Sequence, residues 1–338
     1  MVRMAGPGVE RREASTASIW AALVAVYIVW GSTYLAIKYT VQTIPPLLSA
    51  SARFLIAGGL LYLWSIRRGE REEDRPRAVH WRSAAIIGVA LLLGGNGFVV
   101  MAEQRISSGL ASLVVATVPL WMVLLRTTVL RERVGWREIV GLLIGFGGLA
   151  LLVGPVGTSQ VDVLGAAMVV FASFSWAAGS LYARGAPLPS RPLVGTSMEM
   201  LAGGVALFVA GAAAGEFGDL DLSQISAASL WGLGFLIVFG SWVGFAAYVW
   251  LLRVARTSLV STYAYVNPVV AVFLGWLFLS EAVTLRTFLA GGVILAAVAM
   301  IVSATARPSS EEAPGGPGEG VPVADEDRRP DEKEELTA

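Results

Sequence analysis

The sequence predicts an all-α integral membrane protein, with ten transmembrane helices arranged as two inverted five-helix repeats. Three observations lead there. Apolar runs of roughly 20 residues recur along the chain, the length a helix needs to cross a bilayer. Basic residues gather in alternate connections. The order of residues in the first half returns, with small indels, in the second. Of the 338 residues, 55% are hydrophobic and 15% charged, against about 25% charged in a soluble domain of ordinary composition. Mean hydropathy is +0.67. In lipid every backbone N–H needs an internal partner, so the apolar runs must be helices.

Taken in order, the spans are 18–38, 46–66, 83–103, 107–129, 135–154, 163–183, 193–214, 228–252, 257–279 and 285–304. Arg11 and Arg12 precede the first. That run reaches about Tyr39, beyond the roughly 7–15 residues of a cleavable signal core, so it reads as a membrane helix. The longest connections are 67–82, dense in charge, and 215–227, acidic with Asp219 and Asp221. Domain limits follow: a cytoplasmic segment at 1–17, a first repeat at 18–155, a second at 163–305 and a tail at 306–338. The tail, rich in Pro, Gly, Glu and Asp, cannot bury enough apolar surface to fold and is expected to be disordered.

The zero net charge conceals an asymmetry. The tail holds ten acids and four bases, leaving 21 bases against 15 acids in residues 1–305. Those bases mark one membrane face and form no nucleic-acid patch. Arg67, Arg68, Arg71, Arg75, Arg77, Arg82, Arg131, Arg133, Arg184, Arg191, Arg253 and Arg256 fall on one side, and Lys38, Arg105 and Arg286 on the other. By the bias of Lys and Arg toward cytoplasmic loops, both termini are expected in the cytoplasm.

A shift of 149 residues lays Pro119 on Pro268, Leu110 on Leu259, Ser112 on Ser261, Glu132 on Glu281 and Arg137 on Arg286. A shift of 146 lays Trp30 on Trp176 and Lys38 on Arg184, and one of 145 lays Ala57-Gly58-Gly59 on Ala202-Gly203-Gly204. Five spans per unit is an odd number, so the second unit must enter the membrane in the opposite sense. Inverted repeats are a recurring architecture of secondary transporters, with the binding site near the midplane.

Trp30-Gly31-Ser32-Thr33-Tyr34 is similar to the EamA-type drug/metabolite transporter (DMT) superfamily. The likeness continues through Pro45-Pro46, Ala52-Arg53-Phe54, Gly94-Gly95-Asn96-Gly97, Ala102-Glu103, Ser108-Gly109-Leu110-Ala111-Ser112, Pro119 and Glu132. In the second half it includes Ser175-Trp176, Met198-Glu199-Met200-Leu201, Tyr263-Ala264-Tyr265-Val266-Asn267-Pro268 and Glu281. It covers about residues 17–305 and is closest to the YedA-like exporter branch. The resemblance implies ten helices, cytoplasmic termini, a cavity lined by helices 1–4 and 6–9, and export of amino acids, metabolites or drugs across the inner membrane.

Several residues are candidates for that cavity. Glu199 is an ionisable residue inside a span, a functional candidate by default. It could couple protons or meet a cationic substrate, or hold a structural hydrogen bond. Arg53 could clamp a substrate carboxylate with its guanidinium fork, or tie helix ends together or pair with Glu103; the structural role is the preferred reading. Asn96 could bind substrate or bridge helices. Trp30, Tyr34, Trp176, Trp242, Tyr263 and Tyr265 suggest an aromatic wall suited to apolar and cationic solutes, while lipid-facing or interfacial packing is the alternative. Trp30 and Trp176 stand out as repeat mates near mid-span; Trp121 and Trp136 fit the alternative. Asn267 joins the cavity set beside Pro268. Pro119 and Pro268 each leave a carbonyl unpaired four residues earlier and are candidate hinges. Gly141, Gly145, Gly291 and Gly292 could mediate a homodimer or intramolecular packing, with packing preferred. Glu132 and Glu281 read as helix-end residues paired with nearby Arg.

Other classes lack parts. No Walker loop is present, so ATP-driven transport by this chain alone is not expected. The single histidine, His80, lies in a charged loop, and there is no cysteine. No metal site, cofactor or enzymatic activity is therefore expected. A membrane-embedded enzyme or a channel-like subunit remain the rival readings. The expected partners are a small-molecule substrate, protons as a coupling ion and the lipid bilayer.

Overall fold

The computed structural model describes residues 15–67, 76–153, 162–255, 257–260 and 262–305. The tail expected to be disordered, and residues 1–14, lie outside these. All regular structure among the described residues is helical. The main helices among the described residues are α1 (Thr16–Thr40), α2 (Pro46–Arg67), α3 (Ala78–Ala102), α4 (Ser108–Thr128), α5 (Trp136–Val153), α6 (Val163–Ala183), α7 (Pro192–Ala213), α8 (227–254), α9 (Tyr263–Leu279) and α10 (Leu285–Thr305). Nine of these are long and apolar enough to cross a membrane, and α9, with 17 residues, is apolar but shorter. At 1.5 Å per residue it spans about 25 Å.

Local chemistry sets the helix starts. Ser15, Ser107, Asp162 and Ser226 each accept a backbone N–H from three residues on, satisfying one of the orphan donors of a first turn. Pro46 and Pro192 open α2 and α7, where no donor is needed. Apolar side chains cover the outside: Trp20, Ile28, Leu143, Trp231 and Phe288 are all exposed. Such a surface is incompatible with water over this area and matches acyl chains.

Four of the expected spans depart from uniform helix. Residues Val89–Gly97 in α3 and Leu236–Val243 in α8 are wound as π-helix, a wide i→i+5 turn that occurs mostly at functional sites. Helix α4 breaks at Ala116–Thr117, where the Thr117 hydroxyl donates to the Val114 carbonyl at 2.6 Å. Pro119 follows in the first turn of the resumed helix, so it loses no hydrogen bond there. The span expected at 257–279 divides into Thr257–Val260 and α9. Pro268 lies within continuous helix; the two prolines therefore do not interrupt their helices at matching places, and each break lies N-terminal to its proline.

Packing exchanges the halves evenly. Helix α2 lies along α7, and α5 along α10; α1 meets α8 and α9, α6 meets α3 and α4, and α4 meets α9. Leu48 sits near Gly211, Leu55 near Gly204 and Gly58 near Met200, while Arg191 donates to the Ser65 carbonyl at 3.0 Å. The start of α2 thus adjoins the end of α7, and the two run antiparallel. The same holds for α5 and α10: Gly141 faces Ile301, Gly148 faces Ile294, and the Leu151 carbonyl accepts from Arg286 at 2.7 Å. The small-residue face of α5 is accordingly occupied inside the chain. At the crossing of α3 and α7, a Cβ on Gly88 would stand 2.6 Å from the Glu199 carbonyl oxygen and 2.7 Å from the Gly203 nitrogen, so only glycine allows this approach.

Candidate functional site

The two wide turns bring the candidate residues together. Trp30 Nε1 donates to the Gly240 carbonyl at 3.2 Å, in the wide turn of α8. Its ring packs edge-on to Phe245 at 5.5 Å and Tyr263 at 5.2 Å, and is tilted on Tyr248 at 5.1 Å. These centroid separations lie in the favourable range for aromatic pairs. Gly244 follows, and a side chain there would collide with the indole. Arg53 Nε donates to Ser241 Oγ at 3.0 Å, and Trp242 Nε1 donates to the Ala57 carbonyl at 3.0 Å. Three consecutive residues of α8, Gly240, Ser241 and Trp242, are therefore held by α1 and α2.

The wide turn of α3 has the equivalent arrangement from the other half. Ser175 Oγ donates to the Ala90 carbonyl at 2.8 Å. A Cβ on Gly95 would lie 2.7 Å from Cε3 of Trp176. A carbonyl in an i→i+5 turn is less completely engaged by its own helix, which leaves it open to a side-chain donor. The repeat mates Trp30 and Trp176 each sit against the wide turn of the opposite half. Asn96 lies half-buried within the α3 turn, with no side-chain hydrogen bond among the described residues.

Tyr34 packs with Ala264, Tyr265 and Val272 of α9 against the cluster around Val99, Ala102 and Val114. Asn267 is 8% exposed, and its Oδ1 is buried without a partner among the described residues. Glu199, the eighth residue of α7, is half-buried; its carboxylate has no hydrogen bond or ion pair among the described residues. Trp121 is half-buried and packs edge-on to Phe146 and Phe174. Trp136 is 69% exposed, as its interfacial reading requires.

Some charges depart from the pairings expected and others keep them. Arg53 does not pair with Glu103. Glu103 is fully buried, both its carboxylate oxygens lack partners among the described residues, and Lys38 and Glu281 are its charged neighbours. Lys38 Nζ donates to the backbone carbonyls of Glu103 and Ile106, closing the C-terminal end of α3. Glu132 is paired with Arg126 at 2.6 Å. Glu281 has no Arg partner among the described residues: it accepts from the Ser108 N–H at 2.7 Å, the Gly109 N–H at 3.1 Å and the Ser108 hydroxyl at 2.9 Å. It thereby caps α4, where a carboxylate meets the unpaired donors and positive end of the helix dipole. Glu216 does the same for α2, accepting from Leu47 and Leu48 N–H at 3.1 and 2.9 Å. Sequence reading missed Glu216; its only signal was an acid in the acidic connection after α7. Nearby, Asp162 caps α6 and meets Arg105 at 3.4 Å. The Gly165 N–H, ahead of Arg105, holds that carboxyl below the usual aspartate range. Among the described residues no cluster of three acids or histidines could hold a metal.

An all-helical, apolar bundle whose halves meet at paired wide turns is the kind of frame membrane carriers use, and the family comparison agrees. The chain belongs to the EamA-like transporter family, whose model matches residues 16–154 and 163–303. It is 40% identical over 285 residues, 84% of this chain and 90% of its own, to YedA of Escherichia coli (strain K12), described as an uncharacterized inner membrane transporter. It is 29% identical over 287 residues to an uncharacterized transporter of Archaeoglobus fulgidus, covering 84% of this chain and 98% of that one. A crystal structure of a protein superposes on 86% of this chain and 99% of its own with a TM-score of 0.55 at 20% identity, a likeness that bears on the fold alone.

Proposed function

We propose that this protein is a secondary transporter that exports small metabolites across the inner membrane by alternating access. The two five-helix halves are read as inserted in opposite senses, with both termini in the cytoplasm. One observation carries the reading: Trp30 and Trp176, which the internal repeat makes equivalent, each seat on the wide turn of the other half. A substrate held between those turns meets the same contact geometry from either side. Exchanging the halves' roles then converts an inward-open arrangement into an outward-open one. The antiparallel course of α2 against α7, and of α5 against α10, supports the inversion, since these are the pairs the repeat makes equivalent.

In this reading Trp30, Tyr34, Trp242, Tyr263, Tyr265 and Asn267 line one flank of the path, and Asn96 and Trp176 the other. Glu199 and Glu103 are the groups available for proton coupling, because neither carboxylate has a partner that fixes its charge. The breaks before Pro119 and Pro268 are the places where α4 and α9 can bend. The test is flux in proteoliposomes. Saturable counterflow of a labelled solute supports a carrier; conductance without saturation would establish a channel instead.

A further inference from the structure

We propose that Arg53 is the anchor for a carboxylate on the exported solute, so that substrates are small organic acids with an apolar body. The inference rests on the transport reading and names the substrate class within it. Arg53, the eighth residue of α2, is only 6% exposed. Its guanidinium carbon stands 4.7 Å from the Phe54 ring centre, and its Nη2 lies 3.2 Å from where a Cβ on Gly240 would stand. Among the described residues its one hydrogen bond is Nε to Ser241, and no acid lies within ion-pair distance. Of the other acids, Glu216 caps α2 and Glu281 caps α4, while Glu103, whose carboxylate has no hydrogen bond among the described residues, has Lys38 and not Arg53 as its basic neighbour.

Arginine keeps its charge when buried, and an unpaired buried charge is strongly unfavourable unless something compensates it. A small cleft with room for about one water, lined by Ile37, Thr40, Ser49, Ala50, Val100 and Leu236, adjoins Arg53. The hydroxyls there do not supply the missing charge: Thr40 donates to the Ala36 carbonyl and Ser49 to the Pro46 carbonyl, both at 2.7 Å. With Nε engaged, the terminal N–H groups are left as a fork that suits two carboxylate oxygens. The shift that aligns α2 with α7 puts Met198 at the place of Arg53, so the second half has no matching cation. Gly240, which carries the Trp30 contact, directly precedes Ser241. One wide turn therefore joins the guanidinium to the aromatic cluster, and a solute with a carboxylate at one end and an apolar group at the other spans both.

The experiment uses the full chain in proteoliposomes and pairs each acid with its own amide: phenylalanine, leucine and N-acetylphenylalanine against the corresponding primary amides. Counterflow KM is measured for each. The expected result is an acid KM roughly ten- to a hundredfold below that of the amide in the unmodified protein. R53Q should bring that ratio near one, and R53K should recover part of it. A role confined to holding α8 through Ser241 would lower flux for acids and amides alike and leave the ratio unchanged. Equal KM for acid and amide in the unmodified protein overturns the anchor without any variant, as does saturable flux of amides alone. Should R53Q fail to fold, the unmodified ratio and R53K still decide. Absence of saturable flux for every compound removes the transport reading, and the anchor with it.

Discussion

Trp30 is the residue on which most of the candidate site converges, because its indole both donates to α8 and fills an aromatic cluster. Trp30 and Trp176 are half-buried, so truncating either costs less than the about 3–5 kcal/mol of a fully buried Trp. We expect Trp30→Ala and Trp176→Ala to reduce transport at least tenfold after correction for membrane expression, with Trp136→Ala near unmodified. Equal loss in all three, measured as initial counterflow rate, would remove the cavity assignment. Glu199→Gln should abolish the dependence of export on a proton gradient if that carboxylate carries the coupling ion. Export by the unmodified protein that persists unchanged with a collapsed gradient would dispose of the idea. Trp30 and Trp176 were legible because an ordered shift singled them out. The partners of Glu281 were not: a sequence shows an acid near Arg286 but cannot show that the amides of Ser108 and Gly109, some 170 residues away, are what lies opposite.

At the scale of elements, helix existence was legible and helix continuity was not. Val89-Ala90-Leu91-Leu92-Leu93 reads as ordinary apolar helix, since composition does not distinguish i→i+4 from i→i+5 winding. The break in α4 was read at Pro119, yet it falls at Ala116–Thr117, where Thr117 turns its hydroxyl onto Val114. Close crossings were partly visible through their glycines. Gly88→Leu should force α3 from α7 and destabilise the protein by about 1–3 kcal/mol or more, seen as a lower thermal midpoint in detergent. Gly292→Leu is the control, because nothing lies within 4 Å of a Cβ there; an equal drop in both would show that the crossing is not what Gly88 protects. At the start of α6, the Asp162 cap has a depressed carboxyl. Its contribution is present above the unfolded-state value and is lost as pH falls through the folded one.

For the molecule as a whole, the ordered shifts pointed to two related segments, and the family model matches each of them. The sequence could not foresee which groups join the two segments at one end. Glu216 and Glu281 belong to the second half, and each grips the first turn of a helix in the first half. Glu281→Ala leaves the amides of Ser108 and Gly109 without their acceptor, a cost of about 1–3 kcal/mol. We expect that variant to favour the arrangement open at this end, read as faster labelling of a cysteine placed at Ile106 in a chain that otherwise has none. Unchanged labelling would mean that the contact caps α4 and does no more. Tags near residues 75 and 220 should report from opposite faces of the bilayer, and one shared face would refute the inverted arrangement.

Each wide turn also amounts to a surplus of about one residue relative to regular α-winding. Deleting a residue elsewhere in a span rotates everything beyond it by roughly 100° about the axis, turning buried groups outward. Deleting one within 236–243 would instead restore ordinary pitch and leave both flanks in phase. Such a shortened chain should still insert and fold, yet lose the exposed carbonyl at Gly240 and with it the seat of the indole. Insertion and transport would then come apart in a single deletion.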